Sequence, residues 1–164
     1  MPDTKKPRAY VVRDSDIHGR GVFAAGKIRK GTTIIEYKGD RTTWDIASLR
    51  PDSDPDNPYH TFIFELTDGR VIDAGIKGNA ARWINHSCDP NCVTAETAKG
   101  RVYIEALRRI RTGEELTYDY RLSYDAKVTR KVREAFACRC GTAACRGTML
   151  LDKKKAKRKA SRKK

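Results

Sequence analysis

The sequence predicts a mainly β domain, and three observations carry that expectation. Apolar and β-branched residues fall in short segments such as "YVVR" and "GTTIIEYKG", the length and composition of strands. The turn signals Asp68-Gly69 and Lys99-Gly100 each split a longer β-rich stretch into two arms, the pattern of a hairpin. Helical periodicity is confined to short stretches. Many short strands with few helices describe a β domain of small sheets.

In chain order, residues 1–7 are polar and carry two prolines, so they read as a loose arm. Tyr10 to Arg13 forms a first strand, followed by the turn-rich "DSDIHGRG". Gly31 to Gly39 supplies a second strand, rich in β-branched residues. "TTWDIASLRP" sets a Thr cap before Trp44, Ile46 and Leu49 and a stop at Pro51, which predicts a short helix. "PDSDPDNP" is a surface loop. "HTFIFELTDGRVIDA" and "VTAETAKGRVYIEAL" follow as hairpins, and "RTGEELTYDY" adds a turn and a short strand. In "SYDAKVTRKVREAF", Val128, Val132 and Phe136 recur every four residues, a helix stripe on a basic surface.

Charge is unevenly spread. The chain carries 35 Lys+Arg against 21 Asp+Glu, a net charge of +14. Nine of the basic residues lie between Lys153 and Lys164, where there is no acid. Such a block reads as an interaction arm that contacts polyanions by counterion release, so DNA or RNA contact is expected of this tail. A nuclear-import signal has the same composition. No apolar run approaches the ~18 residues of a membrane span, and "MPDTKKPRAY" lacks the apolar stretch of a signal peptide. An intracellular, reducing setting without membrane contact is therefore expected, where clustered cysteines favour metal or catalysis over disulfides.

Five cysteines fall in two groups. "CRCGTAAC" holds Cys138, Cys140 and Cys145, and "ARWINHSCDPNC" holds Cys88 and Cys92. A structural zinc site takes four ligands, so three thiols need a fourth from the earlier stretch. Spacing alone does not choose between Cys88 and Cys92. A nucleophilic Cys–His pair is a weaker reading, because such pairs usually meet from distant positions. Elsewhere, Gly19 and Gly21 flank Arg20 in "HGRGVFAAG", which is a tight turn unless a ligand approaches its amides. Tyr118 and Tyr120 alternate along one strand face in "ELTYDY", with Tyr37 as a third phenol. Such rings either line a channel or fill a core.

Taken together, "HGRGVFA", "EYKGD", "GNAARWINHSCDPNC" and "GEELTYDY", in that order, resemble the SET-domain protein lysine methyltransferases. "CRCGTAACRGTM" resembles the short post-SET segment of that family. The resemblance covers Tyr10 to Leu150. It implies several small β-sheets with a C-terminal pseudoknot and few short helices. It also implies a SET core over 8–124, a linker helix and post-SET zinc segment over 125–151, and a basic tail over 152–164. The methyl donor implied is S-adenosylmethionine, held by the backbone around His18, Arg20 and Gly21. Asn85 and His86 would contact its amino-acid and adenine parts, with Tyr120 beside the transfer centre and Arg139 touching the adenine through its backbone. Tyr37 would line the lysine channel, and Tyr118 occupies a position where family members carry Tyr or Phe. Cys88, rather than Cys92, would join Cys138, Cys140 and Cys145 on zinc.

The substrate so implied is a lysine in a histone or histone-like, DNA-associated protein. The setting is nucleus and chromatin in a eukaryote, or cytoplasm and nucleoid in a bacterium. Tyr118 implies a tight site that stops at mono- or dimethyl-lysine. No cysteine-rich segment precedes the core motifs, and the insert "RTTWDIASLRPDSDPDNPYH", a region that often shapes substrate choice in this family, is short. The competing reading is a zinc-stabilised nucleic-acid or chromatin-binding module without transferase activity. The joint presence of Asn85, His86, Tyr118 and Tyr120 argues against it.

Overall fold

In "VYIEA" every second side chain is small or apolar, and in β9 (Val102–Ala106) these are the buried ones. The computed structural model describes residues 8–151. The arm expected over 1–7 and the tail expected over 152–164 lie outside the described residues. Strand β9 is the centre of a three-stranded antiparallel sheet, flanked by β3 (Thr33–Tyr37) and β8 (Cys92–Glu96). Ile104 faces Ile35 on one side and Thr94 on the other.

A second antiparallel sheet orders β4 (Asp40–Thr42), β6 (Val71–Asp73) and β5 (Ile63–Glu65), with β6 central and fully buried. A hairpin joins β1 (Tyr10–Asp14) to β2 (Arg20–Ala24). The hairpin turns expected at Asp68-Gly69 and Lys99-Gly100 form there. Gly69 and Gly100 take φ of 84° and 68°, a left-handed conformation that costs glycine little. The smallest sheet pairs β7 (Asn85–His86) with β10 (Thr117–Tyr118) in parallel. Parallel neighbours need a crossover, and this one brings residues 115–120 back beside 84–91, as a pseudoknot requires.

The core lies between these sheets, around Val22, Ile72, Ile84, Ile104, Ile110 and Leu116, each at most 2% exposed. Asn91 staples the returning chain into it. Its side-chain amide donates to the Glu115 carbonyl at 2.7 Å and its Oδ1 accepts from the Thr117 amide at 2.9 Å.

The two helices are shorter than their sequence patterns. α1 (Trp44–Ala47) is a single turn that uses Thr43 as its cap. Its buried residue is Ala47, while Trp44, Ile46 and Leu49 face solvent. α2 (Arg130–Ala135) starts after a Thr129 cap that accepts from the Val132 amide. Val132 and Phe136 are buried as the stripe predicts, but Val128 precedes the cap and is exposed. The cap hydroxyl outcompeted the apolar period as the start signal. Phe136 packs against Tyr59 and Tyr124 at ring distances of 5.5 and 5.9 Å, joining the 51–60 loop to the C-terminal segment. No helix among the described residues is long and apolar enough to cross a membrane.

Candidate functional site

The parallel pair β7/β10 is two residues long, yet it sets Asn85, His86, Thr117 and Tyr118 side by side. Beyond it the chain turns so that the ring of Tyr120 lies 4.8 Å from that of Tyr118 and 5.3 Å from that of His86. Tyr120 Oη donates to the Ile84 carbonyl at 2.6 Å. Tyr37, at the end of β3, donates to the Phe62 carbonyl at 3.0 Å and packs on Phe64, which in turn faces Tyr118. Four chain segments thus build one aromatic wall. Burial, helped by neighbouring phenols, raises the Tyr37 and Tyr118 hydroxyls well above their ordinary value, and burial with the Glu115 charge does so at Tyr120. These hydroxyls stay neutral and act as dipoles rather than as bases.

Beside the wall, burial depresses His86 to about 4, so its imidazole is neutral near pH 7. Nδ1 accepts from the Tyr120 amide at 3.0 Å, which leaves the proton on Nε2. That nitrogen points at Cys88 Sγ, 3.5 Å away. Asn85 is buried against the turn before β2. Its amide nitrogen lies 2.9–3.1 Å from four acceptors: Ser15 Oγ, the carbonyls of His18 and Arg20, and Glu115 Oε1. An amide has two N–H groups, so acceptors are in surplus here. A Cβ on Gly21 would meet Glu115 Oε1 at 2.3 Å, and glycine is therefore the residue that admits this carboxylate.

Cys88, Cys138, Cys140 and Cys145 bring their sulfurs within 4.8 Å of one another. Tetrahedral zinc with Zn–S near 2.3 Å places sulfurs about 3.8 Å apart, so the donor set fits that ion. Burial raises Cys88 and Cys138. Burial opposes ionisation of Cys140 too, but hydrogen bonding, led by Thr142, carries it down to about 5. Cys92 lies elsewhere, 1% exposed in β8, with burial pushing its thiol to about 12.

The SET domain matches residues 19–121, well over half of the chain. The chain belongs to the SET-domain family. It is 41% identical over 153 residues to the H3 lysine-4 specific histone-lysine N-methyltransferase of Chaetomium globosum, an alignment covering 87% of this chain and 13% of that one. It is 38% identical over 149 residues to histone-lysine N-methyltransferase 2B of Homo sapiens, covering 89% and 5%. To the trithorax histone-lysine N-methyltransferase of Drosophila virilis it is 38% identical over 149 residues, covering 89% and 4%. The chain thus spans a small fraction of the length of these curated relatives. SET methyltransferases use S-adenosylmethionine as donor.

Within this SET domain, the residues singled out from sequence fall in three neighbouring places. Tyr37, Tyr118 and Tyr120 form the wall. Asn85 meets the backbone of His18 and Arg20, while His86 spans from Tyr120 to Cys88. Arg139 is exposed, and its charge is felt at His18. The sequence reading gave no role to Glu115, Asn91, Phe62, Phe64, Trp83 or His60. Phe62 and Trp83 extend the wall at a ring distance of 5.1 Å, and His60 packs edge-on against His18 at 4.8 Å while bonding Asp54. An acid inside a strand motif and aromatics beside the second hairpin were the available signals.

Proposed function

We propose that this chain transfers methyl groups from S-adenosylmethionine to the side-chain amine of a lysine in a histone or histone-like, DNA-associated protein. The observation that carries the reading is the wall of neutral phenols beside the acceptor-rich turn at Asn85. The names of the relatives support the reaction and the histone class of substrate.

The surplus acceptors around Asn85 fit the ammonium end of an amino-acid-bearing donor, with His18, Arg20, Gly21, Asn85, His86 and Arg139 as the holding set. When bound, that donor supplies a methyl carbon already electrophilic. The protein's task is then alignment and exclusion of water. A lysine must arrive unprotonated against a reference pKa of about 10.4. A dry aromatic channel disfavours the ammonium form. The hydroxyls of Tyr37, Tyr118 and Tyr120 orient the neutral amine, each already fixed by packing or by a backbone carbonyl. Tyr118 limits the product to mono- or dimethyl-lysine.

We infer that residues 8–124 are the SET core and 125–151 a post-SET segment. Zinc held by Cys88, Cys138, Cys140 and Cys145 would fold that segment against the core. The work is done on chromatin in a nucleated cell or at the nucleoid of a bacterium. The tail beyond residue 151 adds contact with DNA or RNA.

The test is incubation of the full chain with radiolabelled donor and a mixture of basic proteins, comparing wild type with Tyr120→Phe. Label on lysine with wild type, and strongly reduced label with the variant, is the expected result. Donor binding without transfer would leave a zinc-stabilised binding module instead. Equal transfer by both proteins would remove Tyr120 from its role.

A further inference from the structure

Away from the aromatic wall, two segments of seven residues carry an unusual balance. "AGKIRKG" (25–31) and "LRRIRTG" (107–113) hold six cations and no acid. An antiparallel bridge between Ile28 and Ile110 brings them together, with reciprocal backbone bonds of 3.0 and 2.9 Å. Register then sets Lys27 against Arg111 and Arg29 against Arg109. Like charges directly opposed across a pair are destabilising, so the fold spends stability to keep this arrangement. All six cations are exposed. The side chains of Lys27, Arg29, Lys30, Arg109 and Arg111 have no ion pair or hydrogen bond among the described residues, whereas Arg108 is paired with Glu114.

Their backbone is nevertheless well held. Glu114 accepts from the Arg108 guanidinium at 2.5 Å, from the Arg111 amide at 3.0 Å and from Asn91 at 3.1 Å. Arg13 stacks on Phe23 and caps the Gly113 carbonyl at 3.2 Å. The acid of this region is thus fully engaged in shaping the loop. Arg108, Arg109, Arg111 and Thr112 border an open depression of about 630 Å³, and Lys27 borders a second of about 510 Å³ that shares Arg109 and Arg111.

We propose that this face is a sequence-independent docking surface for the phosphate backbone of duplex nucleic acid. Phosphate recognition calls for guanidinium and ammonium groups spread along a surface, without base-reading side chains. Surfaces for single strands add aromatic platforms, and neither segment has an aromatic residue. The proposal goes beyond the methyl-transfer reading and stands independently of it.

The test is fluorescence polarisation of a labelled 24-base-pair duplex against the full chain over a salt series. The patch variant is Lys27→Gln/Arg109→Gln/Arg111→Gln, and a charge-matched control is Lys153→Gln/Lys154→Gln/Lys155→Gln. The patch variant should bind about tenfold more weakly near 0.1 M salt, with a log–log salt slope shallower by about 2.7, close to 0.9 for each cation removed. Its thermal midpoint should hold or rise, because the opposed charges are gone. Should it fall instead, Arg109→Lys/Arg111→Lys, which keeps the charge, must retain wild-type binding. Unchanged affinity and slope in the patch variant would overturn the proposal. So would an equal loss in the control, since net charge would then explain the effect. Displacement of duplex by polyglutamate at matched charge would overturn the choice of nucleic acid.

Discussion

The wall at Tyr118 and the segment from Cys138 to Cys145 both carry residues assigned to the proposed reaction, yet they are held differently. Tyr37 and Tyr118 are buried among apolar side chains from separate sheets, and their backbone is laddered or stapled. The C-terminal segment has exposed residues on either side of its cysteines. It meets the rest of the protein mainly through four sulfurs, the Phe136 ring, a two-point ion pair of Arg146 with Asp119 and a short pairing of Leu122 with Leu150. A core site is as stable as its packing. A segment this poor in buried apolar area depends on whatever fills the sulfur cluster. His86 joins the two, accepting from Tyr120 on one ring nitrogen and facing Cys88 with the other.

The largest expected effect breaks that comparison directly. If zinc fills the sulfur cluster and the chain transfers methyl groups as proposed, removing the metal with a chelator, or replacing Cys140 with Ser, should release the C-terminal segment and abolish that transfer. The β core should remain folded. Hydrogen exchange reads this out: amides 137–150 lose protection while 102–106 keep theirs. Collapse of protection at 102–106 would show that the two regions are one cooperative unit.

The reverse experiment weakens the core and leaves the sulfurs alone. Ile104 is fully buried between Ile35 and Thr94, so Ile104→Ala should cost about 2–5 kcal/mol in urea unfolding. Metal content of the folded fraction should not change. Tyr120→Phe is smaller in stability and larger in rate. It deletes a 2.6 Å bond to the Ile84 carbonyl, costing about 1 kcal/mol of stability. Turnover should fall about 100-fold. Tyr118→Phe should leave total turnover within a few fold and shift the product on a peptide towards trimethyl-lysine, read by mass spectrometry.

How much of this was legible from residues alone follows the same divide. The hairpins were readable because period-two alternation and a glycine at each turn are local signals, as at Val102–Ala106 and Gly100. The two cysteine groups were also readable, but their convergence was not: spacing left Cys88 and Cys92 equivalent until tertiary structure put one in a core strand. The apolar residues of α1 misled in a second way. Trp44, Ile46 and Leu49 look like a buried stripe, yet a helix of one turn has room to bury a single residue, Ala47. Glu115 carried only a weak local signal, an acid inside the strand motif "GEELTYDY". Its carboxylate is explained by Ser15, Gly21 and Asn85, which lie 30 to 100 residues away in sequence.

The smallest effect sharpens the comparison at the seam where the returning chain enters the core. Burial alone would raise the Glu114 carboxyl, but hydrogen bonds from Arg108, the Arg111 amide and Asn91 outweigh it and hold the group at about 2, against an ordinary value of 4.5. A carboxylate depressed in the folded state contributes stability that is complete above its unfolded pKa and is lost as pH falls through the folded one. Glu114 should therefore stabilise the protein fully above about pH 4.5 and progressively less down to about pH 2. Glu114→Gln tests this without disturbing the sulfurs. Urea unfolding should show wild type more stable than the variant at pH 7, with the gap narrowing through pH 4 and 3. Acid also strips metal from thiolates, but both proteins share that loss, so it cancels in the difference. A gap that stays constant with pH would mean that Glu114 acts through shape alone, and the seam would then owe its strength to packing, as the wall does.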